Sequence, residues 1–509
     1  MPHRRGPWTP FFVLAVLYAV VFGARALYQA AVRSVRLEPG KAAYLHDEFV
    51  DMNLSTRDPV LLERWKREAP EIVVRRGGLD VTTIAGVRRL ALREEGGMFR
   101  GAWPVPWNAE AGDYEIALIG QEGLGDRLKR HGFKIERRKP AALPRGFSIL
   151  TLESVTPLES MEVVGPDGRR TDWRGLLDWA QYVGVDAFWM LGGQTPGQKS
   201  GQLWVSTNRA MIAKVAKECR RRGLKFGVYA MCYLTMSKEK VGGYEYALDI
   251  KDGRPVETRA ISLRDPKRPR DVAALLKSWR EIPEVDYVGL DYIRNALGGY
   301  ELAEEFFAEM PGVRPPPEWP RLTREERMVW FARKKIMRLD PAFIDAWQWW
   351  RSHKVAGIVR RIKRELGDAK PLWAFTLTWD KGWHHGQDPV MMNDAGIDAD
   401  ALMLYEATRE QYDALISDWR RYVKRGDVQL IVGDVIDWPL HQRAADGPGE
   451  FYRRSIKAVD QIYADGPAFG VFFHDIGRAL WGRVGPWGAR GWMDEARRVT
   501  RHIKGRAGR

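Results

Sequence analysis

The stretch "DYVGLDYIRNALGG" at residues 286–299 reads as a buried strand that ends in polar residues. Its first half is a short apolar run, which predicts a strand covered on both faces. Asp291 follows that run directly, and Tyr292 and Arg294 come next. An acid, an aromatic ring and a base at the end of a buried strand indicate that the strand ends at a cavity or at solvent. Asp291 is therefore either a solvated strand-end carboxylate or the reacting group of an enzyme.

Strand-like and helix-like stretches alternate on both sides of this one, which predicts parallel β/α units. Eight such strands with helices between them are typical of a (β/α)8 barrel, or TIM barrel, over residues 147–505. A doubly wound open sheet is the alternative, but no glycine-rich phosphate loop follows the first strand. Besides the stretch quoted above, the predicted strands cover residues 147–154, 185–191, 224–234, 370–379, 399–408, 428–438 and 467–477.

Three segments precede the predicted barrel. Residues 40–137 contain short strand-like runs separated by glycine and polar turns, which predicts a small β-sandwich-like domain of the immunoglobulin type. Residues 138–146 are basic and contain proline, and they are interpreted as a linker. Residues 1–36 combine a basic start with the apolar run "FFVLAVLYAVVFGA" at 11–24, which predicts a signal peptide or an uncleaved signal anchor. This N-terminal hydrophobic helix would export the rest of the chain to the periplasmic or extracellular side and hold it at the membrane.

Composition narrows the range of partners. The formal net charge of +15 favours acidic polymers or anionic membrane surfaces, although a generally basic proteome would give the same value. No zinc-finger spacing and no aromatic-basic RNA motif occurs, so no nucleic-acid partner is predicted. Cys219 and Cys232 lack metal-ligand spacing and are expected to be buried free thiols. The 22 tryptophans suit either stacking on sugar rings or core packing.

Carboxylates follow most of the predicted strands, and the chemistry of a TIM barrel lies at those strand ends. Such a set favours glycoside cleavage, in which one carboxyl group protonates the leaving oxygen and another attacks the anomeric carbon or activates water. A metal or other cofactor is not predicted, because the adjacent His384 and His385 would point opposite ways in an extended loop. No G-x-S-x-G motif supports a serine nucleophile. The strand ends supply Glu153, Gln194, Asp291, Trp379, Asp380, Tyr405, Glu406, Asp434, Asp437, His474 and Asp475.

Several stretches of the barrel resemble the family-10-like glycosyl hydrolases. They are "KFGVYAMCY" (225–233), "KDGRPVETRAISLRDPKRPRDVAALLKSW" (251–279), "VDYVGLDYIR" (285–294), "WQWWRSHKVAGIVRRIKREL" (347–366) and "GVFFHDIGRAL" (470–480). The resemblance implies a (β/α)8 fold, glycoside hydrolysis and a catalytic aspartate at the end of the fourth strand, which is Asp291 here. The family's sixth strand usually ends in tyrosine followed by an aromatic residue, whereas this chain has Tyr405 and Glu406. The partner of Asp291 therefore does not follow from the resemblance.

That partner is chosen from the geometry expected of a barrel. The ends of the fourth and sixth strands face each other across the barrel mouth, so Glu406 is the first candidate for the acid/base and Asp291 for the nucleophile or base. Asp434 and Asp437 come second, and Asp380 third. Arg294 is expected either to pair with Asp291 or to bind an acidic sugar. The predicted substrate-binding residues are Glu153, Tyr229, Tyr292, Arg294, Trp379, Asp380, Trp383, Tyr405, Trp438, His474 and Asp475.

The sequence thus predicts an exported, membrane-anchored glycoside hydrolase that cleaves a polysaccharide with two carboxylates. One alternative is a non-catalytic barrel that binds glycan during polysaccharide export or assembly, which would need the tryptophans but no matched acid and base. A polysaccharide lyase is another alternative, and it would use a tyrosine or histidine base with Arg294 against a uronate.

Overall fold

The computed structural model describes most of the chain, which divides into two compact units. The first unit is Met1–Glu136 with Met310–Val313, and the second is Arg137–Glu309 with Arg314–Arg509. The described residues are 14–23, 35–120, 130–154, 156–195, 205–206, 209–235, 243–294, 298–336, 340–405, 408–436, 447–482 and 486–508.

Within its described residues, the first unit contains two β-sheets. A four-stranded antiparallel sheet has the order Arg36–Pro39, Phe49–Ser55, Met98–Pro104, Arg93–Glu95. The second sheet has the order Ala43–Tyr44, Arg130–Ile135, Gly112–Leu118, Glu71–Arg76, Leu79–Asp80, with Leu90–Ala91 paired to Glu71–Arg76.

One hydrophobic core joins these sheets to a helix, Pro59–Arg67. The helix begins where the Asp58 carboxylate accepts hydrogen bonds from two backbone N–H groups, which satisfies donors that a helix start leaves open. Trp65 from the helix packs edge-on against Phe99, with ring centroids 5.6 Å apart. The immunoglobulin-like sandwich expected for residues 40–137 stays a prediction.

The transmembrane signal anchor expected in residues 1–36 is wrong. Within the residues that the structure describes, no helix has the length and apolar character that a membrane span requires. The N-terminal helix covers residues 14–23, and residues 1–13 and 24–34 lie outside the described part of the chain. Export stays a prediction from the sequence.

The second unit confirms the (β/α)8 barrel. Its strands pair in parallel with their neighbours, and the last strand pairs with the first, so the sheet closes. The strands are β1 Phe147–Leu152, β2 Ala187–Thr195, β3 Lys225–Thr235, β4 Tyr287–Asp291, β5 Leu372–Leu377, β6 Ala399–Met403, β7 Leu430–Val435 and β8 Gly470–His474.

Helices lie between the strands, as the alternating sequence pattern predicts. They are α1 Arg174–Val183, α2 Arg209–Arg221, α3 Arg268–Arg280, α4 Ala303–Glu309, α5 Arg324–Ile336, α6 Pro341–Leu366, α7 Pro389–Ala395, α8 Arg409–Tyr422, α9 Pro448–Gln461, α10 Ile476–Trp481 and α11 Ala489–Ala507. Shorter elements are the strands Val163–Val164, Arg170–Thr171, Val205–Ser206, Tyr246–Lys251 and Arg254–Ile261, and the 3-10 helices Leu158–Ser160, Tyr300–Leu302, Trp319–Arg321 and Trp379–His385.

Large rings fill the interior of the barrel. Trp189 of β2 and Trp373 of β5 stack across it with ring centroids 3.9 Å apart. Gly289 of β4 makes room for this pair, because a Cβ atom at that position would lie 2.2 Å from the Trp373 ring. Most of the large, fully buried side chains are tryptophans, so core packing accounts for much of the tryptophan content. Cys219 and Cys232 are buried free thiols, as expected.

Replacing Gly289 with alanine should therefore destabilise the barrel by about 1–3 kcal/mol, the usual cost of overpacking a filled core. Gly357→Ala is the matched control, since nothing lies within 4 Å of a Cβ atom there. Its position inside α6 predicts a gain of up to about 1 kcal/mol. Urea unfolding of both variants measures the difference, and equal midpoints would contradict this account of Gly289.

Candidate active site

Side chains from several strand ends meet in one cleft at the carboxyl end of the barrel. Residues alternate along each strand between the barrel interior and the surrounding helices. Phe147 and Ile149 of β1 face the interior, and the same alternation brings Glu153 into the cleft. Tyr287 of β4 also faces the interior, and the alternation along β4 places Asp291 in the cleft. The cleft has a volume of about 130 Å³ and is lined by Glu153, Asp291, Tyr292, Arg294, Phe375, Leu377, Met403, Tyr405, Val435, His474 and Arg478.

Asp291 is buried at the end of β4, with 5 % of its surface exposed. Its Oδ1 atom accepts a hydrogen bond of 2.7 Å from the backbone N–H of Tyr292. Tyr292 has a left-handed backbone conformation, with φ of 48°, so the chain turns sharply directly after the acid. Burial, followed by the negative charge of Glu153, raises the pKa of Asp291 to about 7. This carboxyl group therefore keeps its proton in mildly acidic solution and is about half protonated at pH 7.

His474 binds Glu153 across the junction of β1 and β8. The Nε2 atom of His474 lies 2.8 Å from Oε2 of Glu153. On the other side of the ring, Nδ1 lies 3.1 Å from the hydroxyl of Thr151, and that hydroxyl donates to the carbonyl oxygen of Phe473 at 3.2 Å. When the hydroxyl proton is used in that bond, Nδ1 donates to Thr151 and Nε2 donates to the carboxylate. In that arrangement both ring nitrogens are donors, as in an imidazolium cation.

The pKa values of this pair agree with an ion pair. Burial works against the charge on His474, but the hydrogen bond to Glu153 and its negative charge outweigh burial and raise the pKa of His474. Burial also works against ionisation of Glu153. The hydrogen bond and charge of His474, with smaller contributions from Arg478 and Arg294, outweigh it and lower the pKa of Glu153. One cleft therefore holds an ionised carboxylate and a protonated carboxyl group.

Asp475 holds the backbone beneath this pair. It caps α10, accepting a hydrogen bond of 2.8 Å from the backbone N–H of Arg478. Its other oxygen accepts from the backbone N–H of Glu153 at 3.3 Å. Glu153, His474 and Asp475 place possible metal-ligand atoms within 4.8 Å of one another. Their bonds to each other and to backbone N–H groups already account for this closeness, so we describe the set as an ion pair with a backbone clamp.

Aromatic rings form part of the cleft wall. Tyr405 stacks on the His474 ring at a centroid distance of 5.6 Å, and Phe375 meets the same ring edge-on at 6.0 Å. Burial keeps the phenol of Tyr405 neutral by raising its pKa far above the ordinary value. Tyr405 and Tyr292, whose pKa burial also raises, thus offer neutral hydroxyl groups in the cleft that holds the two acids.

The structure corrects the placement of Asp434. Along β7, Ile431 faces the barrel interior and Val435 lines the cleft, so Asp434 points outward. Its carboxylate lies 3.4 Å from Nη1 of Arg454 on α9, and both side chains are buried. Burial raises the pKa of Asp434. Asp434 therefore stabilises the contact of β7 with α9 and does not take part in the cleft.

Two further predicted contact residues pack inside the fold. Tyr229 is fully buried in the barrel interior, where its hydroxyl donates to the carbonyl oxygen of Leu152 at 3.3 Å. Trp383 donates its indole N–H to the carboxylate of Asp388 at 2.5 Å and packs edge-on against Tyr422. Neither side chain lines the cleft, and neither does Asp475. A buried indole or phenol needs a polar partner, and these residues find theirs within the protein.

The other predicted residues, or their side chains, lie outside the described part of the chain. Glu406, Asp437 and Trp438 lie outside the described residues. Trp379 and Asp380 begin a 3-10 helix, and their side chains are not described. Their roles stay predictions.

Sequence reasoning missed Arg478 and the bond between Glu153 and His474. Strands one and eight of a closed barrel are neighbours, so residues at their two ends must lie close together. Arg478 follows the capping Asp475 by three residues, which places it in the first turn of α10. Both features were thus accessible from the order of the strands.

Comparison with known proteins adds no closer assignment. No protein-family model matches the chain, and no curated protein matches it. The solved structures that share features with it include the catalytic domain of a β-amylase from Paenibacillus polymyxa. That structure has 10 % identity and a TM-score of 0.47, with 70 % of this chain and 98 % of that chain covered.

Two other solved structures show a similar degree of likeness. For the α-amylase of Geobacillus thermoleovorans, identity is 11 %, the TM-score is 0.38, and coverage is 72 % of this chain and 80 % of that one. For the β-galactosidase of Halorubrum lacusprofundi, identity is 12 %, the TM-score is 0.42, and coverage is 70 % and 58 %. Likeness at this level does not indicate an activity. The barrel is shown by the parallel pairing of its own strands. Membership of the family-10-like group stays a prediction.

At pH 8 the Asp291→Asn variant should be more stable than the wild type. At pH 4 this difference in stability should be much smaller. The ordinary pKa of this acid is 3.8, and folding raises it to about 7. Between these values the folded chain binds a proton that the unfolded chain has lost, so wild-type stability falls as pH rises. One pKa unit corresponds to about 1.4 kcal/mol, so the difference should reach a few kcal/mol. Urea unfolding at both pH values measures it.

The control for this experiment is Asp368→Asn, because the Asp368 side chain is 92 % exposed. That variant should show the same small effect at both pH values. Stabilisation by Asp291→Asn that is no greater at pH 8 than at pH 4 would mean that Asp291 titrates as an ordinary aspartate.

Proposed function

We propose that the chain is a glycoside hydrolase in which Asp291 protonates the leaving oxygen and Glu153 acts as the ionised carboxylate. The observation that carries the proposal is that two carboxyl groups share one cleft in different surroundings: Glu153 is bonded to His474 at 2.8 Å, and Asp291 is buried, so their pKa values shift in opposite directions. Cleavage of a glycosidic bond needs one carboxyl group in each state. Pairs of acids whose surroundings separate their pKa values are the usual assignment for acid and base.

The proton on Asp291 is available to the oxygen of the breaking bond. As that bond lengthens, positive charge develops at the anomeric carbon, and the carboxylate of Glu153 stabilises it. Glu153 then attacks the anomeric carbon or activates a water molecule. His474 positions Glu153 and keeps it ionised through their bond of 2.8 Å. The hydroxyl groups of Tyr292 and Tyr405 are placed to bond sugar hydroxyls in the same cleft.

This assignment changes the role expected for Asp291. A nucleophile or base must be ionised, whereas burial keeps Asp291 protonated to about pH 7. Glu153, which the sequence suggested only as a substrate contact, takes the role of the ionised group. Glu406 stays a predicted partner outside the described residues.

The hydrolysis rate should follow a bell-shaped pH profile. It should fall above about pH 7, where Asp291 loses its proton, and in acid, where Glu153 gains one. Asp291→Asn should remove the alkaline limb and lower kcat/KM by about 10²–10⁴-fold, the usual contribution of a general acid. The loss should be smaller for aryl glycosides whose leaving group needs no proton. Glu153→Gln should lose activity on every substrate.

The measurement uses the release of reducing ends from a panel of polysaccharides, followed by kinetics on aryl glycosides, with Asp368→Asn as the control. Wild-type rates in Asp291→Asn would refute the assignment. Formation of an unsaturated product that absorbs in the ultraviolet would instead identify a lyase.

A further inference from the structure

Thr151 lies next to the ion pair of the cleft. It belongs to β1, and the parallel register of β1 and β8 pairs Leu150 with Phe473, so Thr151 and His474 come next on the two strands. The side chain of Thr151 is fully buried, and it is not among the described residues that line the cleft. Any effect of Thr151 on a bound sugar would therefore pass through its neighbours.

The hydroxyl of Thr151 bonds the ring nitrogen of His474 that does not face Glu153. Its oxygen lies 3.1 Å from Nδ1 of His474 and donates to the carbonyl oxygen of Phe473 at 3.2 Å. A hydroxyl group has one proton and two lone pairs, so it can accept the Nδ1 proton while it keeps the bond to the carbonyl group. Valine has nearly the same shape and lacks this capacity. An Nδ1–H group buried against valine would have no acceptor, which disfavours the protonated ring.

The aromatic contacts of His474 fix the plane of its ring but do not choose between its two orientations. Tyr405 stacks on the ring with 12° between the planes, and Phe375 meets it edge-on. A half turn of the imidazole about its bond to Cβ would keep that plane and put carbon where each nitrogen lies. A carbon edge accepts no hydroxyl proton and donates no strong hydrogen bond. Thr151 and the carboxylate of Glu153, at 2.8 Å from Nε2, thus select the orientation.

We propose that Thr151 is a positioning residue for the reaction: by accepting the Nδ1 proton of His474, its hydroxyl keeps the Nε2 proton directed at Glu153 and so holds that carboxylate in place. The inference rests on the proposed function for its meaning in catalysis, because Glu153 is the ionised group of that mechanism. Without the hydroxyl, the ring should lose its second proton at lower pH. Glu153 would then lose the cation that favours its ionised form, and it should gain a proton at higher pH than in the wild type.

Nitrogen-15 NMR of the histidine rings measures the protonation of His474. The chain has nine histidines, and the signal that is missing from His474→Gln identifies this one. In Thr151→Val the midpoint of the His474 titration should fall by about one to two pH units, which corresponds to the loss of a hydrogen bond to a charged group. Thr151→Ala also lacks the hydroxyl and should show the same fall. Thr151→Ser keeps the hydroxyl and should restore the wild-type titration.

The other charged and titratable groups around His474 are the same in every comparison, because only residue 151 changes. Groups in the segments outside the described residues are equally unchanged. Within the described chain, the neighbours that carry or can carry charge are Glu153, Asp291, Tyr405, Asp475 and Arg478.

The matched control is Thr376→Val. Thr376 is also fully buried in a barrel strand, and its hydroxyl donates to Oδ1 of Asp400 at 3.0 Å. Phe375 and Leu377 line the cleft, so the alternation along β5 turns Thr376 away from it. This variant should lose stability, as expected when a buried hydrogen bond is removed, and it should leave the titration of His474 unchanged.

Kinetics on a hydrolysed substrate give a second readout. Thr151→Val should lower kcat with little change in KM, since Thr151 does not line the cleft. It should also move the acid limb of the pH profile to higher pH, and Thr151→Ser should restore both properties. A merely structural role would lower the amount of folded protein without moving this limb. Thermal unfolding of each variant shows that it is folded.

An unchanged titration of His474 in Thr151→Val and Thr151→Ala would overturn the inference. A Thr151→Ser variant that behaves like Thr151→Val, or an equal shift in Thr376→Val, would overturn it as well. If the wild type hydrolyses no polysaccharide, the proposed function fails, and the NMR comparison still decides whether Thr151 controls His474. If hydrolysis depends on Asp291 and Glu153 while His474 titrates alike in all variants, the proposed function stands and this inference fails.

Discussion

The ion pair between Glu153 and His474 lies where β1 and β8 meet and close the barrel. It fixes the charge of both partners, because the cation keeps the carboxylate ionised and the carboxylate keeps the imidazole protonated. The charge of Glu153 is also one of the causes, after burial, that keep a proton on Asp291. The distribution of protons over the whole cleft therefore depends on this contact, and so does the division of roles between the two acids.

Packing beneath the cleft holds these groups in place. Trp189 and Trp373 fill the barrel interior, and Gly289 leaves the space that the second indole occupies. Two tryptophans of α6, Trp347 and Trp350, form a second aromatic cluster with Phe306 and Phe331 outside the barrel sheet. Most of these aromatic side chains thus pack into a rigid support for the cleft. A site of defined geometry requires such a support.

Much of the fold could be predicted because the alternation of strands and helices is regular over the barrel. The positions of Asp291, Glu153, Tyr405 and His474 followed from the rule that chemistry lies at strand ends. The error at Asp434 came from counting every acid near a strand end without applying the two-residue alternation, which puts Val435 in the cleft.

Other features depend on long-range packing that local patterns do not report. Trp383 was expected to contact substrate, but it lies in a 3-10 helix and donates a hydrogen bond to Asp388. The pKa of Asp291 depends on burial by side chains from other strands, which no local pattern reveals. At the N-terminus the apolar run suggested a membrane span, whereas no helix within the described residues has the length and apolar character of one.

The central claim is that Asp291 keeps its proton up to about pH 7 while Glu153 is ionised. Infrared difference spectroscopy between the wild type and Asp291→Asn, recorded as a pH titration, follows the carboxyl C=O stretch of this one side chain. The account predicts that the protonated band is present at pH 5 and disappears with a midpoint at about pH 7. A midpoint near pH 4, the ordinary value for an aspartate, would contradict it.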